Sequence, residues 1–277
     1  LKKRGQQNND SPITRADLQA IAPGEDLFLA DGQLSITRFY FTEQYSEKLQ
    51  FGVEIPLVQI HGGYTDDLIE DFHDSQGFGD HGRDGTSRDD VRVYLRKGDF
   101  EYFNEGIDSI KIGDPIVSAK YSLTKPSDRG LQMALKSSLK LSVRDAEFYS
   151  SGSSDLGVQF IAEYHFSRAT LHADVAATYL GEYEALDVDS QVRWGGNVGL
   201  EVAMTKNSSF SFQIAGYEPI FFEDDITDLS EMVYEVSIGT NWAISDKTLL
   251  RFALVENAWH LENSSDVGLH FAVDRSL

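Results

Sequence analysis

The sequence predicts an all-β fold: a closed antiparallel transmembrane β-barrel of 12 or 14 strands, with short turns on the periplasmic side and longer loops outside. Three observations carry this reading. Polar and apolar residues alternate with period 2 over segments of about 11 residues. The connections between those segments alternate between short and long. No run of 18 apolar residues exists, which removes a transmembrane helix.

Residues 1–31 read as a polar, irregular N-terminal segment, within which Asp17 to Ala22 could form one helical turn. Residues 32–277 read as a single barrel domain. Strand patterns fall near 33–44, 48–60, 91–97, 99–104, 114–124, 130–141, 156–167, 169–180, 193–205, 208–220, 233–245, 248–259 and 265–276. In one of them Val158, Phe160, Ala162, Tyr164 and Phe166 share a face, opposite Gln159, Glu163 and His165. Short turns fit at Ser46-Glu47, Gly98-Asp99, Lys125 to Arg129, Ser167-Arg168, Lys206 to Ser208 and Ser245 to Lys247. Longer loops fall at 61–90, 105–113, 142–155, 181–192, 221–232 and 260–264. Strands in soluble β-sandwiches are usually shorter, about 5–6 residues.

Aromatic residues gather near strand ends: Tyr40, Tyr164, Phe166, Tyr179, Trp194, Tyr217, Trp242 and Trp259. Such rings suit a membrane–water interface. Strand parity leaves one gap. The strand at 33–44 runs inward from outside, and an upward strand is expected before it. Either that strand is absent from this chain, or one of the segments 91–97 and 99–104 is not a barrel strand.

The chain has no cysteine, so disulfides and thiolate metal sites are excluded. Its formal net charge of -21 argues against nucleic acid, because little basic surface is available to neutralise phosphates. Acidic residues concentrate in the loops, as at Asp66, Asp67, Glu70 and Asp71, and again at Glu223, Asp224, Asp225 and Asp228. Such loops could hold Ca²⁺ or Mg²⁺ and bridge to lipopolysaccharide. No other cofactor is expected.

The connection from His61 to Asp90 is the longest segment without a strand pattern. A structureless connection of that length is usually functional or disordered. If 66–72 is helical, Leu68, Ile69 and Phe72 share one face, and Asp66, Glu70 and Asp71 line the other. With His73 beside them, these residues form the predicted lid or plug. Gly62 and Gly63 permit a sharp turn into it.

The alternation also assigns the interior. Lys120, Lys136 and Lys140 fall on the polar faces of adjacent strands, and Glu163, Asp174, Glu201 and Glu235 on polar faces further round. A basic wall opposite an acidic wall would orient polar solutes and select ions. A tight hairpin around Arg168 would set Glu163 across from His172 and Ile161 across from Asp174. His165, His172, Glu163 and Asp174 then form the one constellation with metal-binding or acid–base potential. The ordinary reading of these residues is hydrogen-bonded lumen polarity, and no metal site is assigned. No serine nucleophile is identifiable by spacing, so no catalytic residue is assigned and an enzyme is not expected.

The run FGVEIPLVQIHGGYTDDLIEDFHDSQGFGDHGR (Phe51 to Arg83) resembles the signature of an uncharacterised Gram-negative outer-membrane family, domain of unknown function 3187. Further matches follow in order: IGDPIVSAKYSL (Ile112 to Leu123), LKLSVRDAEFYSSGSSDLGVQF (Leu139 to Phe160) and ENAWHLENSSDVGLHFAV (Glu256 to Val273). The resemblance implies a barrel, a bacterial outer-membrane location and no established activity. It departs in two places. Members usually carry one more strand upstream of the region matching LFLADGQ (Leu27 to Gln33), and outer-membrane barrels commonly end in an aromatic residue, where this chain has Leu277.

The resulting expectation is a porin-like channel or transporter for a small solute, with loop 61–90 as lid or plug. One alternative is a non-conducting barrel that presents acidic loops to a protein partner or to lipopolysaccharide. The other is a barrel enzyme acting at the membrane.

Overall fold

A computed structural model describes residues 14–21, 23, 26–62, 91–104, 107–125, 127, 129–145, 150–221, 227–257 and 267–276. In chain order the elements are α1 (Arg15–Ile21), β1 (Leu27–Asp31), β2 (Gln33–Gln44), β3 (Leu49–His61), β4 (Arg92–Lys97), β5 (Phe100–Asn104), β6 (Ile107–Ile112), β7 (Ile116–Ser122) and β8 (Gly130–Lys140). There follow β9 (Asp155–His165), β10 (Ala169–Leu180), β11 (Gln191–Ala203), β12 (Ser208–Tyr217), the short helix α2 (Thr227–Ser230), β13 (Val233–Ser245), β14 (Thr248–Asn257) and β15 (Val267–Arg275).

Two sheets result. The larger has 12 strands, in the order β15-β14-β13-β12-β11-β10-β9-β8-β7-β3-β2, with β6 pairing β3 off this path. The path is an antiparallel meander, because each short turn returns the chain beside the strand it has just left. At Tyr45–Leu49 the Ser46 hydroxyl accepts the backbone N–H groups of Lys48 and Leu49, closing the β2–β3 turn. The β9–β10 hairpin has the predicted register, with His172 opposite Glu163 and Asp174 opposite Ile161.

Strands β8 to β15 are 9 to 13 residues long, enough for a tilted strand to cross a bilayer. Their polarity is inverted relative to a water-soluble protein. Val198 is 55% exposed, Trp242 65% and Phe271 67%, while the polar residues between such positions are mostly half-buried. The exposed apolar residues recur at every second position, so they form one continuous face rather than scattered spots. Aromatic rings edge that face at two levels. Tyr179 is level with Leu156, eight residues before Tyr164 on β9, or about 26 Å along the strand. Trp194 lies near the Tyr179 level; Tyr164 and Phe166, with ring centroids 4.7 Å apart, mark the other. Two predicted girdle residues sit differently. Tyr217 and Tyr40 are on the polar face, where Tyr217 donates a hydrogen bond to Glu235 and Tyr40 stands opposite Glu54. Trp259 lies outside the described residues.

Closure differs from the expectation. Among the described residues β2 and β15 each pair with a single neighbour and not with each other. Eleven strands lie along the path, each antiparallel to the next, so β2 and β15 point the same way. The parity gap read from the sequence is therefore present in the sheet.

The smaller sheet, β1-β4-β5, corrects two sequence assignments. Segments 91–97 and 99–104 do not join the large sheet; they pair with β1, which reads as irregular in the sequence. Their strands have 5, 6 and 5 residues, too few to cross a membrane. Gly32, with φ +144°, turns the chain from β1 into β2 in a backbone conformation that strains other residues. Nearly all the buried apolar side chains belong to this small unit and the loops against it.

Candidate functional site

The small sheet is apolar on both faces because it is packed on both. Leu27, Leu29, Tyr94 and Phe103 meet Leu18 of α1. Phe28, Leu95, Phe100 and Tyr102 meet Leu186, Phe221 and Leu229, together with Tyr183 and Val188. The second set comes from the β10–β11 and β12–β13 connections, on the long-loop edge of the large sheet. We call α1 with β1, β4 and β5 the cap. It is covalently joined to β2 and β3 near one end of the strand path and packed on loops from β10 to β13 towards the other. Going along the path from β3 to β11 crosses five strand spacings, about 24 Å, so the large sheet curls enough for one small unit to touch both regions.

Local chemistry fixes the cap's parts. Thr14 and Asp17 form a capping box for α1: the Asp17 N–H donates to Thr14 Oγ1 (3.3 Å), and the Thr14 N–H donates to Asp17 Oδ2 (2.9 Å). Glu101 of β5 accepts Arg15 Nε (3.0 Å) and Gln19 Nε2 (2.9 Å), latching α1 to the sheet. The hydrogen bond from Arg15 chiefly holds the Glu101 carboxyl down at about 2, against an ordinary 4.5; burial opposes this, and Gln19 reinforces it. A depressed carboxylate stabilises the fold above its unfolded pKa and loses that contribution as pH falls through its folded pKa. The latch is thus expected to be intact above about pH 4.5 and to weaken down to about pH 2. Amide protection factors in residues 15–21 of wild type should fall as pH drops through that window, while Glu101→Gln should be less protected at neutral pH and show no such acid-dependent loss.

His61 ends β3 at the cap's edge. It is buried, and its Nδ1 lies 2.8 Å from the Gly62 carbonyl, so Nδ1 donates. In the neutral ring Nε2 is then the acceptor, 2.9 Å from the Ser35 hydroxyl. Nearby, buried Asp114 accepts the Ser150 hydroxyl (2.7 Å) and the Val143 N–H (3.1 Å), pinning the loop after β8 to the β6–β7 junction. Burial chiefly, with Tyr102 and Asp114 nearby, pushes the Tyr183 phenol up, consistent with its place in the cap core.

All seven predicted lumen residues fall on the polar face. Lys120 and Lys136 are directly opposite each other on β7 and β8. Lys140 instead forms an ion pair with Asp155 (2.7 Å) and donates to Ser151 Oγ (2.6 Å). Asp174 accepts Asn197, Glu235 accepts the Tyr217 hydroxyl (3.0 Å), and Glu201 accepts Ser209 and Asn241. The acidic wall is therefore engaged with neutral donors, a feature invisible in a count of charges.

The histidine constellation assembles with one change of member. Glu163 lies 3.3 Å from His172 Nδ1 and 3.5 Å from His165 Nε2, and Glu201 stands 4.0 Å from His172 Nε2. Asp174 turns to Asn197 instead. Among the described residues no group of three or more His, Asp or Glu side chains converges as a metal site. The predicted lid or plug residues Asp66, Leu68, Ile69, Glu70, Asp71, Phe72 and His73 lie outside the described residues, as do Glu223, Asp224 and Asp225.

Polar-face residues at the long-loop end of the large sheet are covered. Arg193, Val233 and Asn257 are 7, 2 and 2% exposed, whereas the Glu163 and His172 side chains at the short-turn end are 38 and 36% exposed. The sequence reading missed the cap. Two signals for it were present: strands half the length of their neighbours, and the Thr14-x-x-Asp17 helix start inside a segment read as irregular.

The profile of the family described as "Protein of unknown function (DUF3187)" matches residues 14–275. The chain belongs to that family. No curated protein matches it in sequence. Among solved structures, the COG4313 outer membrane channel from Pseudomonas putida F1 is similar with a TM-score of 0.54 at 11% identity, over 89% of this chain and 83% of that one. The CymD monoaromatic hydrocarbon channel gives a TM-score of 0.38 at 14% identity, over 83% of this chain and 72% of its own. The P. putida toluene transporter TodX also gives 0.38, at 11% identity, over 81% of this chain and 63% of its own. The likeness to the first is one of fold.

Proposed function

We propose that this DUF3187 protein is a transmembrane barrel of a bacterial outer membrane and a channel for a small polar solute. The observation that carries the reading is the inverted polarity of the long strands: an unbroken apolar face outside, and a polar face half-buried on the other side. A sheet in lipid must leave no open edge, because each unpaired backbone group there costs several kcal/mol. Since β2 and β15 run the same way, antiparallel closure takes one further strand between them. The fold shared with an outer membrane channel supports the same architecture.

In this reading Lys120, Lys136, Lys140, Glu163, Asp174, Glu201 and Glu235 line the lumen, and the lid is the cap. β3 ends at its edge, and β4 lies within it. The polar-face side chains at the long-loop end are buried and those nearer the short turns are more exposed, the pattern of an interior covered at one mouth. Purified protein in planar bilayers is expected to give discrete conductance steps, and proteoliposomes should swell in small polar solutes. Sealed membranes at high protein load would overturn the channel and leave a non-conducting scaffold.

A further inference from the structure

One row of the polar face differs from the rest. Gln50, Lys120, Lys136 and Gln159 lie side by side on β3, β7, β8 and β9, each directly opposite the next. Neighbouring strands are about 4.8 Å apart, so the row spans about 14 Å. All four side chains are half-buried. Among the described residues, none of the four side chains has an ion-pair or hydrogen-bond partner, although Lys140, on the same face of β8, is held by Asp155. The adjoining row carries Thr42, Ser118 and Ser138, whose hydroxyls add further donors on the same face.

Like charges directly opposite on adjacent strands destabilise a sheet. Elsewhere on this face the charged groups have partners: Arg38 pairs with Glu54 (3.2 Å), Lys140 pairs with Asp155, and the carboxylates are hydrogen-bonded to Asn, Ser, Tyr or His. Two ammonium groups set against each other and flanked by carboxamides therefore make a place where an added negative charge would remove a repulsion. The donors match an oxyanion: two cations supply the charge, and two amide NH2 groups supply directed hydrogen bonds.

We propose that this row, which begins at Gln50 beside the β2–β3 turn, is a binding site on the polar face for the oxyanion group of a small solute, a carboxylate or a phosphate. The proposal rests on the channel reading for its transport consequence but not for the binding itself. In a chain of net charge -21, such a site would let anions occupy an otherwise cation-favouring lumen.

Two measurements test it, both on the full chain. In the first, reversal potentials are recorded in bilayers across a KCl gradient, with inorganic phosphate or acetate then added. The anion-to-cation permeability ratio of wild type is expected to exceed that of the Lys120→Gln/Lys136→Gln double variant about fivefold, and added oxyanion should block wild type but not that variant. Lys120→Arg/Lys136→Arg should keep both properties, which separates charge from folding. In the second, line broadening of phosphate (³¹P) or acetate (¹³C) by detergent-solubilised protein reads binding without any current. Broadening without conductance would overturn the channel and keep the site. Conductance with equal selectivity in wild type and double variant, and equal broadening, would overturn the site and keep the channel. Broadening by one oxyanion only would name the solute's group. Binding that emerges only when residues 64–88 are deleted would identify that segment's own carboxylates as the counter-ions and overturn the proposal.

Discussion

Leu95→Ala is expected to release the cap while leaving the large sheet intact. Leu95 is 1% exposed and is the small sheet's most buried residue in the cluster with Leu186, Phe221 and Leu229 from the facing loops. Truncating a buried leucine costs about 2–5 kcal/mol, depending on how far the site collapses. The cost falls on the cap, because the ladders of β7 to β15 do not include β4. Amide exchange across 92–104 should therefore accelerate about a hundredfold or more, with the long strands unchanged. If the cap closes the mouth, single-channel conductance should rise severalfold. Leu95→Met conserves volume and should cost less than about 1.5 kcal/mol, with near wild-type conductance. Faster exchange with unchanged conductance would show that the cap packs on the rim without restricting the lumen.

The second large effect concerns the apolar face. Val198 sits mid-strand on β11, opposite Ala173 and Ile214, and is 55% exposed. In water, replacing an exposed valine by lysine changes stability by no more than about 0.5 kcal/mol. At the midplane of a bilayer, the same substitution costs about 2–4 kcal/mol. Val198→Lys should therefore impair folding into lipid vesicles, measured by denaturant-dependent tryptophan fluorescence and by the mobility shift of the folded form. Gln213→Lys, on the polar face of β12 opposite Gly199, is the control and should fold as wild type does. Equal behaviour of the two variants in lipid would remove the membrane assignment of this face.

The polar face shows how far charge counting reaches. Lys120, Lys136 and Lys140, read from the sequence as a basic wall, and Glu163, Asp174, Glu201 and Glu235, read as an acidic wall, all lie on the polar face. Charge counting did not distinguish the lysine that is paired from the two that are not. Asp155 lies directly across from Lys140, and that register depends on where the β8–β9 hairpin closes after a long loop. The tight β9–β10 hairpin was legible, because a turn of two residues leaves no freedom in register, and Glu163 opposite His172 followed directly. Glu201 was not foreseen as the fourth member of that group, because it comes from the next strand, across the 181–190 connection.

By itself the sequence determined the all-β class, the positions of the long strands and their two faces. Those follow from period-2 alternation, which is local: each residue's face depends only on its parity within its own strand. The segment 105–113, read as a loop, is mostly strand β6 paired with β3. The tertiary structure decided what the short segments do. Residues 92–97 and 100–104 read as strands like those of the barrel and 27–31 as irregular, yet all three form a separate sheet that is apolar on both faces and has its own core. Their partners, Leu18, Leu186, Phe221 and Leu229, are distant in the chain, and burial against distant residues has no local period to reveal it. The tertiary structure likewise decided which charges on the polar face are neutralised. Pairing across strands depends on register, and register across long loops is set by the assembled sheet.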